Sequence, residues 1–427
     1  MDTIFALATA QGRAGVAVIR ISGPDAFKVA SALIADVPSP REAGLRRVRD
    51  HDGSIIDEAL VLSFAGPASF TGEDVVELHL HGSPAIVSAV LTRLSDLDAR
   101  LAEPGEFTRR ALENDKMDLL QVEALGDLIS AETEAQRKQA MRGYDGAFTS
   151  RIETWRSDLI RAAALIEATI DFADEDVPVD VSPEVMDLLK GVQQELTAEL
   201  HGFRAAERVR SGFEVAIVGP PNAGKSTLLN ALARRDAAIT SHHAGTTRDV
   251  IEVRMDLNGL PVTLLDTAGL RETEDEVEAE GVARAMARAA TADLRVFLTE
   301  EPDRIGLAPE PDDIILAPKG DLRTDAAATV SGKTGLGVDQ LVERLTAVLS
   351  SRAADAGLAT QERHRVALAS AAQGIGAALE KVSHGPDLYD IAAEDIRSTT
   401  RSLAVLIGRV DVEHLLDEVF SSFCLGK

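Results

Sequence analysis

The residues Gly219-Pro-Pro-Asn-Ala-Gly224-Lys225-Ser226 carry the strongest chemical pattern in the chain. Glycines at this spacing let backbone N–H groups turn towards phosphate oxygens. The lysine supplies a cation for the β- and γ-phosphates, and the serine hydroxyl can ligate Mg²⁺. Two fragments follow in order. Gly245-Thr246-Thr247-Arg248-Asp249 offers a threonine for Mg²⁺ and the terminal phosphate. Asp266-Thr267-Ala268-Gly269 offers a carboxylate for the metal and an amide that can sense that phosphate. Alone each fragment is weak; together with the phosphate loop they predict a switch GTPase.

Guanine would be read at Pro318-Lys319-Gly320-Asp321, with Ser331-Gly332-Lys333 as the supporting loop. The usual motif is Asn-Lys-x-Asp, in which Asp accepts from the guanine edge and Asn bonds N7. Asp321 keeps the first contact, whereas Pro318 has no side-chain donor, which predicts weakened base binding. Leu270 occupies the position where many Ras-like enzymes carry a water-orienting glutamine. Another group must orient water, and acids crowd the next loop: Glu272, Glu274, Asp275, Glu276, Glu278 and Glu280.

These loops need strands and helices to hold them. Glu214–Val218 and Val262–Leu265 read as short buried strands and Ile314–Leu316 as a third, with a helix opening through Thr227, Leu228, Leu229 and Leu232. Residues 1 to about 115 read as mixed α and β, with strand candidates at Val16–Ser22 and Asp74–Leu80 and a helical pattern through Phe27, Val29, Ala30 and Leu33. From 117 to 210 apolar residues recur at helical spacing (Leu119, Val122, Leu125, Leu128, Ile129; Ile152, Leu159, Ile166; Leu188, Leu189, Val192, Leu196). They return from 357 to 420 (Val366, Leu368, Ile375, Leu379; Ile396, Leu403, Leu406, Ile407). Helices on both sides of an α/β module predict one discontinuous helical domain with the module inserted; separate bundles are the alternative. The expected fold is multidomain, α+β and α/β, divided as 1–115, 116–210, 211–352 and 353–427, the third part being a Ras-like G domain. The segment from Glu300 to Asp313 is too broken by proline and acid for a full helix.

With 427 residues, 45% hydrophobic and 27% charged, the chain has material for several cores, which excludes general disorder. Forty-four basic against 70 acidic residues give a net charge of −26, which argues against broad nucleic-acid binding. The arginines of Arg41–Arg49 and Arg204–Arg210 read as surface residues or as a local RNA patch. One cysteine, Cys424, precludes an internal disulfide. No apolar run is long enough to cross a membrane and the start lacks a signal-peptide pattern, so a cytoplasmic protein with no membrane partner is expected.

The assembled motifs resemble the MnmE (TrmE) family of tRNA-modification GTPases, in the superfamily of TrmE-, Era-, EngA-, YihA- and septin-like GTPases. The likeness runs along the whole chain. It includes Gly12-Arg-Ala-Gly15, Arg20-Ile-Ser-Gly23, Pro67-Ala-Ser-Phe-Thr-Gly-Glu73-Asp-Val-Val-Glu77, Pro104-Gly-Glu-Phe-Thr-Arg109, Asn114-Asp-Lys116-Met-Asp-Leu119 and the tail Phe423-Cys-Leu-Gly-Lys427. The tail carries Leu425 where the family has isoleucine.

The resemblance implies three things. The N-terminal domain would dimerise and bind a 5-formyl- or 5,10-methylene-tetrahydrofolate at Arg20, Glu77, Lys116 and Lys427, residue types that suit a pterin edge and glutamate carboxylates. The GTPase would be activated by K⁺-dependent pairing of G domains, with Asn222 as the matching K⁺ ligand and Ser241, His243 and Thr246 adding oxygens, largely backbone carbonyls. His242 and His243 are unusual there, and backbone ligation makes their side chains incidental. Glu278 matches the family's water-orienting acid. GTP contacts would come from Asn222, Ala223, Gly224, Lys225, Ser226 and Thr227, then Ser241, His242, His243, Ala244, Gly245, Thr246 and Thr247. Asp266, Thr267, Ala268, Gly269, Lys319, Asp321 and Ser331 complete them, with Mg²⁺ on Ser226, Thr247 and Asp266. The product would be a carboxymethylaminomethyl or aminomethyl group on the wobble uridine of certain tRNAs. It would be made with the flavoprotein MnmG (GidA), which brings FAD, in a heterotetramer. Cys424 could act as a nucleophile near the one-carbon donor or serve only as a tail residue. Two other readings compete: a ribosome-assembly GTPase of the Era or Der type, and a nucleotide-weakened scaffold of the modification complex.

Overall fold

A computed structural model describes residues 2–171, 181–235, 252–266, 276–323, 328–409, 419, 420, 423 and 426. The chain divides into two units, Met1–Gly126 with Ala404–Lys427, and Asp127–Leu403.

In the first unit β1 (Ile4–Leu7), β2 (Val16–Ser22), α1 (Ala26–Ser31), β3 (Gly44–Arg49), β4 (Ile55–Phe64), β5 (Val75–His81), α2 (Pro84–Ser95), β6 (Arg100–Leu101) and α3 (Glu106–Glu113) follow in order. The sheet runs β3-β4-β5-β2-β1-β6, antiparallel except for the short β1–β6 pair. The period-two pleat sorts its faces. Ile19, Ile21, Val76, Leu78 and Leu80 bury against α1 and α2, and Arg20 and Glu77 therefore point to the opposite face with Ile4, Ala6 and Phe107. The strand candidates at Val16 and Asp74 are β2 and β5, whereas β1, β3, β4 and β6 are strands beyond those that the sequence pattern predicts. The arginine stretch 41–49 largely forms β3, an edge strand in which Arg46 and Arg47 pair with Asp36 and Glu58.

Helix α4 (Leu119–Ser130) spans the boundary between the units. At its start Leu119 and Val122 pack on Phe420, and Gly105 and Gly126 leave room for Phe420 and Phe423; a Cβ at Gly105 would stand 2.9 Å from the Phe420 ring.

The chain continues with α5 (Glu134–Tyr144), α6 (Ala147–Asp171), α7 (Ser182–Ser211), β7 (Phe213–Val218), α8 (Lys225–Arg235), β8 (Glu252–Leu257), β9 (Leu260–Asp266), α9 (Glu276–Thr291), β10 (Leu294–Leu298), β11 (Ile314–Pro318), β12 (Thr329–Val330), α10 (Val338–Ala353), α11 (Glu362–Ser383) and α12 (Tyr389–Leu406), the last turn of α12 falling in the first unit. Helix α7 has 30 residues, or about 45 Å at 1.5 Å per residue. It packs on α6 before the α/β module and on α11 after it, so the helices form one discontinuous domain. The expected heptad-like positions Ile152, Leu159, Ile166, Leu189, Val192, Leu196, Leu368, Ile375, Ile396 and Leu403 are buried. Val366 at 54% exposure and Ile129 at 40% are exceptions, Val366 on the outer face of α11 and Ile129 near the end of α4. Among the described residues no helix is long and apolar enough to cross a membrane.

Gly212, with φ of 99°, ends α7 and turns the chain straight into β7. The second sheet runs β12-β11-β10-β7-β9-β8, parallel except for β8. Val215 and Ile217 face α8 and α10, and Ala216 and Val218 face α9 through Leu265 and Ala289. Strand order reverses at central β7, and crevices outside the carboxyl ends of strands form at such a switch point. Between β10 and β11 only the short 3₁₀ turn Pro302–Ile305 forms, as the broken sequence there predicts. The β8–β9 hairpin turns at Asn258-Gly259, both with positive φ, and is tied to the helices: the N–H of Ala135 at the start of α5 donates to the Gly259 carbonyl at 2.9 Å.

Candidate functional site: a nucleotide cradle

At the carboxyl end of β7, residues 219–224 turn tightly into α8. Gly219 sits where a Cβ would meet the Leu298 carbonyl at 2.9 Å. Gly224 has open space around it but φ of 94°, so backbone conformation fixes its identity, and Asn222 adopts φ of 60° beside it. The first N–H groups of α8 lack intrahelical partners and point, with the positive end of the helix dipole, into this turn.

Residues 221–227 and Lys319 line a cavity of about 410 Å³. The structure thus brings Asn222, Ala223, Gly224, Lys225, Ser226 and Thr227 together with Lys319, across 92 residues of sequence. A larger cavity, about 510 Å³ between α6 and α7, is lined by Asp158, Glu184, Asp187 and Glu195 around Trp155. Its carboxylates would repel phosphates, which makes the smaller one the candidate for a nucleotide.

Lys225 is 5% exposed; its ammonium donates to the Gly219 carbonyl at 2.8 Å and to the Pro220 carbonyl at 3.1 Å. Burial pushes its pKa below the ordinary lysine value, opposed by the Asp266 carboxylate. Asp266 ends β9, the neighbour of β7. One of its oxygens accepts from Ser226 Oγ at 2.7 Å, while the other, Oδ1, is buried with no hydrogen-bond partner among the described residues. A buried carboxylate oxygen left open beside a serine hydroxyl fits a hard divalent cation, which takes oxygen ligands and retains water.

On the far side, Lys319 has φ of 56° and opens the 3₁₀ turn Gly320–Leu322. Asp321 is exposed, with no partner among the described residues. Ser331 is buried and its hydroxyl accepts from Thr334 N–H at 3.3 Å. Gly332 lies against α8: a Cβ there would stand 2.5 Å from Leu228 N and 2.6 Å from Thr227 C. Gly332→Ala, which writes in the more usual Ser-Ala-Lys, is therefore expected to weaken guanine-nucleotide binding roughly fivefold, since overpacking costs about 1–3 kcal/mol. Titration with a fluorescent GDP checks this; unchanged affinity would mean that the loop relaxes freely.

Ser241, His242, His243, Ala244, Gly245, Thr246 and Thr247 lie outside the described residues, as do Thr267, Ala268, Gly269, Cys424 and Lys427. Glu278 is in the first turn of α9, with its side chain outside the described residues. In the first unit Arg20 donates to Glu77 at 2.9 Å across β2 and β5, while Lys116 is exposed and donates to the Pro67 carbonyl at 2.9 Å. Sequence reasoning missed the setting of that pair. The Arg20 guanidinium lies over Phe70 and Phe107, 5.1 and 5.5 Å from their ring centres, and His79 Nε2 faces Glu77 at 3.5 Å. Phe70 and Phe107 both sit inside quoted motifs, which was the available signal. Among the described residues no cluster of three His, Cys, Asp or Glu side chains could hold a metal.

A central strand feeding a glycine-bearing loop and a helix, with a carboxylate at the end of the neighbouring strand bonded to the helix's serine, defines a P-loop nucleotide-binding domain. The comparisons carry this further. Residues 3–116 match the family described as GTP-binding protein TrmE N-terminus, and residues 119–424 match the MnmE helical domain. The chain is 61% identical to the tRNA modification GTPase MnmE of Roseobacter denitrificans and 62% identical to that of Ruegeria pomeroyi, over 100% of both chains in each case. It is 50% identical to that of Paracoccus denitrificans over the same full extent. The chain belongs to the MnmE family.

Proposed function

We propose that this chain hydrolyses GTP in a potassium-dependent cycle that serves modification of the wobble uridine of certain tRNAs. The observation that carries it is the Ser226–Asp266 pair with its open buried oxygen, set beside Lys225 in a cavity shared with Lys319. Lys225 and the first amides of α8 hold the phosphates, Ser226 and Asp266 hold the metal with Thr247, and Asp321 accepts from the guanine edge. Mg²⁺ at this position would neutralise charge on the phosphates. Asn222, on the cavity wall with a left-handed backbone, is the proposed K⁺ ligand, with Ser241, His243 and Thr246 as the further ones. Glu278 is the proposed water-orienting acid, in place of the glutamine that Leu270 cannot supply.

In the first unit, Arg20 and Glu77 with Lys116 and Lys427 are the proposed site for a reduced folate as one-carbon donor. A cation flanked by Phe70 and Phe107 and fixed by Glu77 suits a flat heterocycle with carboxylates. The working parts are proposed as 1–115 for folate binding and dimerisation, 211–352 for GTP, and 116–210 with 353–427 as the helical frame. Since the chain carries −26, a flavoprotein of the MnmG type, bringing FAD, would supply much of the basic surface for tRNA in a shared complex. The setting is the cytoplasm.

Hydrolysis of GTP and ATP in potassium and in sodium buffer, at matched ionic strength, tests the reading. Turnover of GTP at least about tenfold faster in potassium is expected, since the cation would supply charge that an arginine finger provides elsewhere. Turnover indifferent to the cation would overturn the potassium mechanism, and none of either nucleotide would overturn the catalytic reading.

A further inference from the structure

The base-reading loop of this chain has lost an anchoring group. Pro318 brings neither a side-chain donor nor a backbone N–H, yet Lys319 beside it holds φ of 56°, a conformation that a side-chain-bearing residue keeps only when its surroundings enforce it. The enforcing contact comes from Arg323, the residue that ends the 3₁₀ turn Gly320–Leu322. Its guanidinium folds back so that Nε donates to the Pro318 carbonyl at 3.0 Å, and Nη1 donates to Glu300 at 2.6 Å. Its own N–H donates to the Gly320 carbonyl at 3.2 Å, and that of Leu322 to the Lys319 carbonyl at 3.0 Å. Underneath, Gly320 lies so close to Thr329 that a Cβ would come within 2.9 Å of its side chain. The segment 318–323 is thus a ring closed by one side chain. The two residues it carries towards the nucleotide, Lys319 on the cavity wall and Asp321 with no partner among the described residues, stay available.

We propose that Arg323, braced by Glu300, is the positioning residue of the guanine site: a clamp from outside the loop that sets Lys319 and Asp321 where position 318 supplies no side-chain anchor. The assignment rests on the GTP reading above. An arginine suits the task because its planar guanidinium sets separate N–H groups in a fixed fork, one to the carbonyl and one to the carboxylate, whereas a lysine offers only a point charge on a flexible stem. The clamp acts on the base and leaves the phosphates to Lys225 and Ser226, so its loss weakens guanine recognition without touching the chemical step.

The test uses full-length Arg323→Ala, Arg323→Lys and Glu300→Gln, with Asp321→Asn as the reference. Arg323→Ala is expected to raise KM for GTP about tenfold, the worth of a hydrogen bond from a charged group, with kcat within about twofold of the parent. Affinity for inorganic tripolyphosphate, which probes the phosphate site alone, stays unchanged. Glu300→Gln shifts KM in the same direction by less, and Arg323→Lys recovers only part of the loss. Asp321→Asn swaps guanine for xanthine preference. An unchanged KM in Arg323→Ala, or an equal loss of tripolyphosphate affinity, would overturn the clamp. Failure of the Asp321→Asn swap would instead overturn the base-site reading on which it stands, so the two failures are separable.

Discussion

Lys225→Ala is expected to lower kcat/KM for GTP by about 10²–10³-fold, the range seen when one preorganised stabiliser of developing charge is removed. The size of the effect follows from where the ammonium already is. Two carbonyls of the phosphate loop hold it before any nucleotide arrives, inside a site of which it exposes 5%, so no side-chain ordering remains to oppose binding. When phosphate oxygens enter, they take over from those carbonyls as acceptors, and their negative charge opposes the effect of burial that depresses the lysine. Lys225→Arg is expected to recover little, because a planar fork does not fit between the Gly219 and Pro220 carbonyls. The fold survives the change, because the sheet beneath is held by Val215, Ile217 and Val218. Steady-state GTP hydrolysis alongside a thermal melt checks both halves. Retained turnover with an unchanged melt would mean that Lys225 does not touch the phosphates.

The G domain was far easier to read from sequence than the N-terminal unit, for a physical reason. Strands β7 and β9 are buried on both faces, and β11 is apolar throughout although Ile315 is 40% exposed, so each is a short continuous apolar run that leads into a loop with a recognisable motif. The first sheet is largely antiparallel with an exposed edge, and its signal is diluted there. In β3, Gly-Leu-Arg-Arg-Val-Arg, only Val48 is buried, and the strand passes for a run of surface arginines. In β4 the charged pair Asp57-Glu58 interrupts the alternation. The β8–β9 hairpin carried a legible Asn258-Gly259 turn that was overlooked. At the sites, local motifs led to Lys225, Ser226, Asp266 and Asp321. What stayed hidden were the residues that work through tertiary geometry. Arg323 has no role until the chain has turned back on Pro318, and the aromatic rings over Arg20 come from positions 50 and 87 residues away.

The largest expected effect on stability belongs to such a hidden residue. Arg110, in α3 and 4% exposed, donates to Asp2, Glu73 and Glu106, and Arg100 donates to Asp2 and Glu106 as well. Glu73 also accepts from Ser22 Oγ at 2.8 Å. One buried guanidinium therefore joins the chain start, the 66–74 loop, β2 and α3. Two of its carboxylates, Glu73 and Glu106, lie in motifs that read as family signatures, and here they hold structure together. Arg110→Ala is expected to destabilise the first unit by about 3–5 kcal/mol, because it strands carboxylates that are nearly buried. Arg110→Met combined with Glu73→Gln is expected to restore part of that loss by removing charge from both sides. Acid gives an independent signature. Burial alone would push Glu106 up, but the hydrogen bonds from Arg100, the Glu103 N–H and Arg110 outweigh it and hold its pKa below the ordinary 4.5. In the window between that lowered value and 4.5 the unfolded chain binds more protons than the native one. The stability this carboxylate contributes is thus full above 4.5 and is lost as pH falls through the lowered value. Removing Arg110 takes away one of the groups that hold Glu106 low, so the gap between wild type and Arg110→Ala should narrow between pH 7 and pH 4. Urea titrations at the two pH values check this. A gap that is constant across them would mean that Arg110 stabilises by packing, with its charge making no difference.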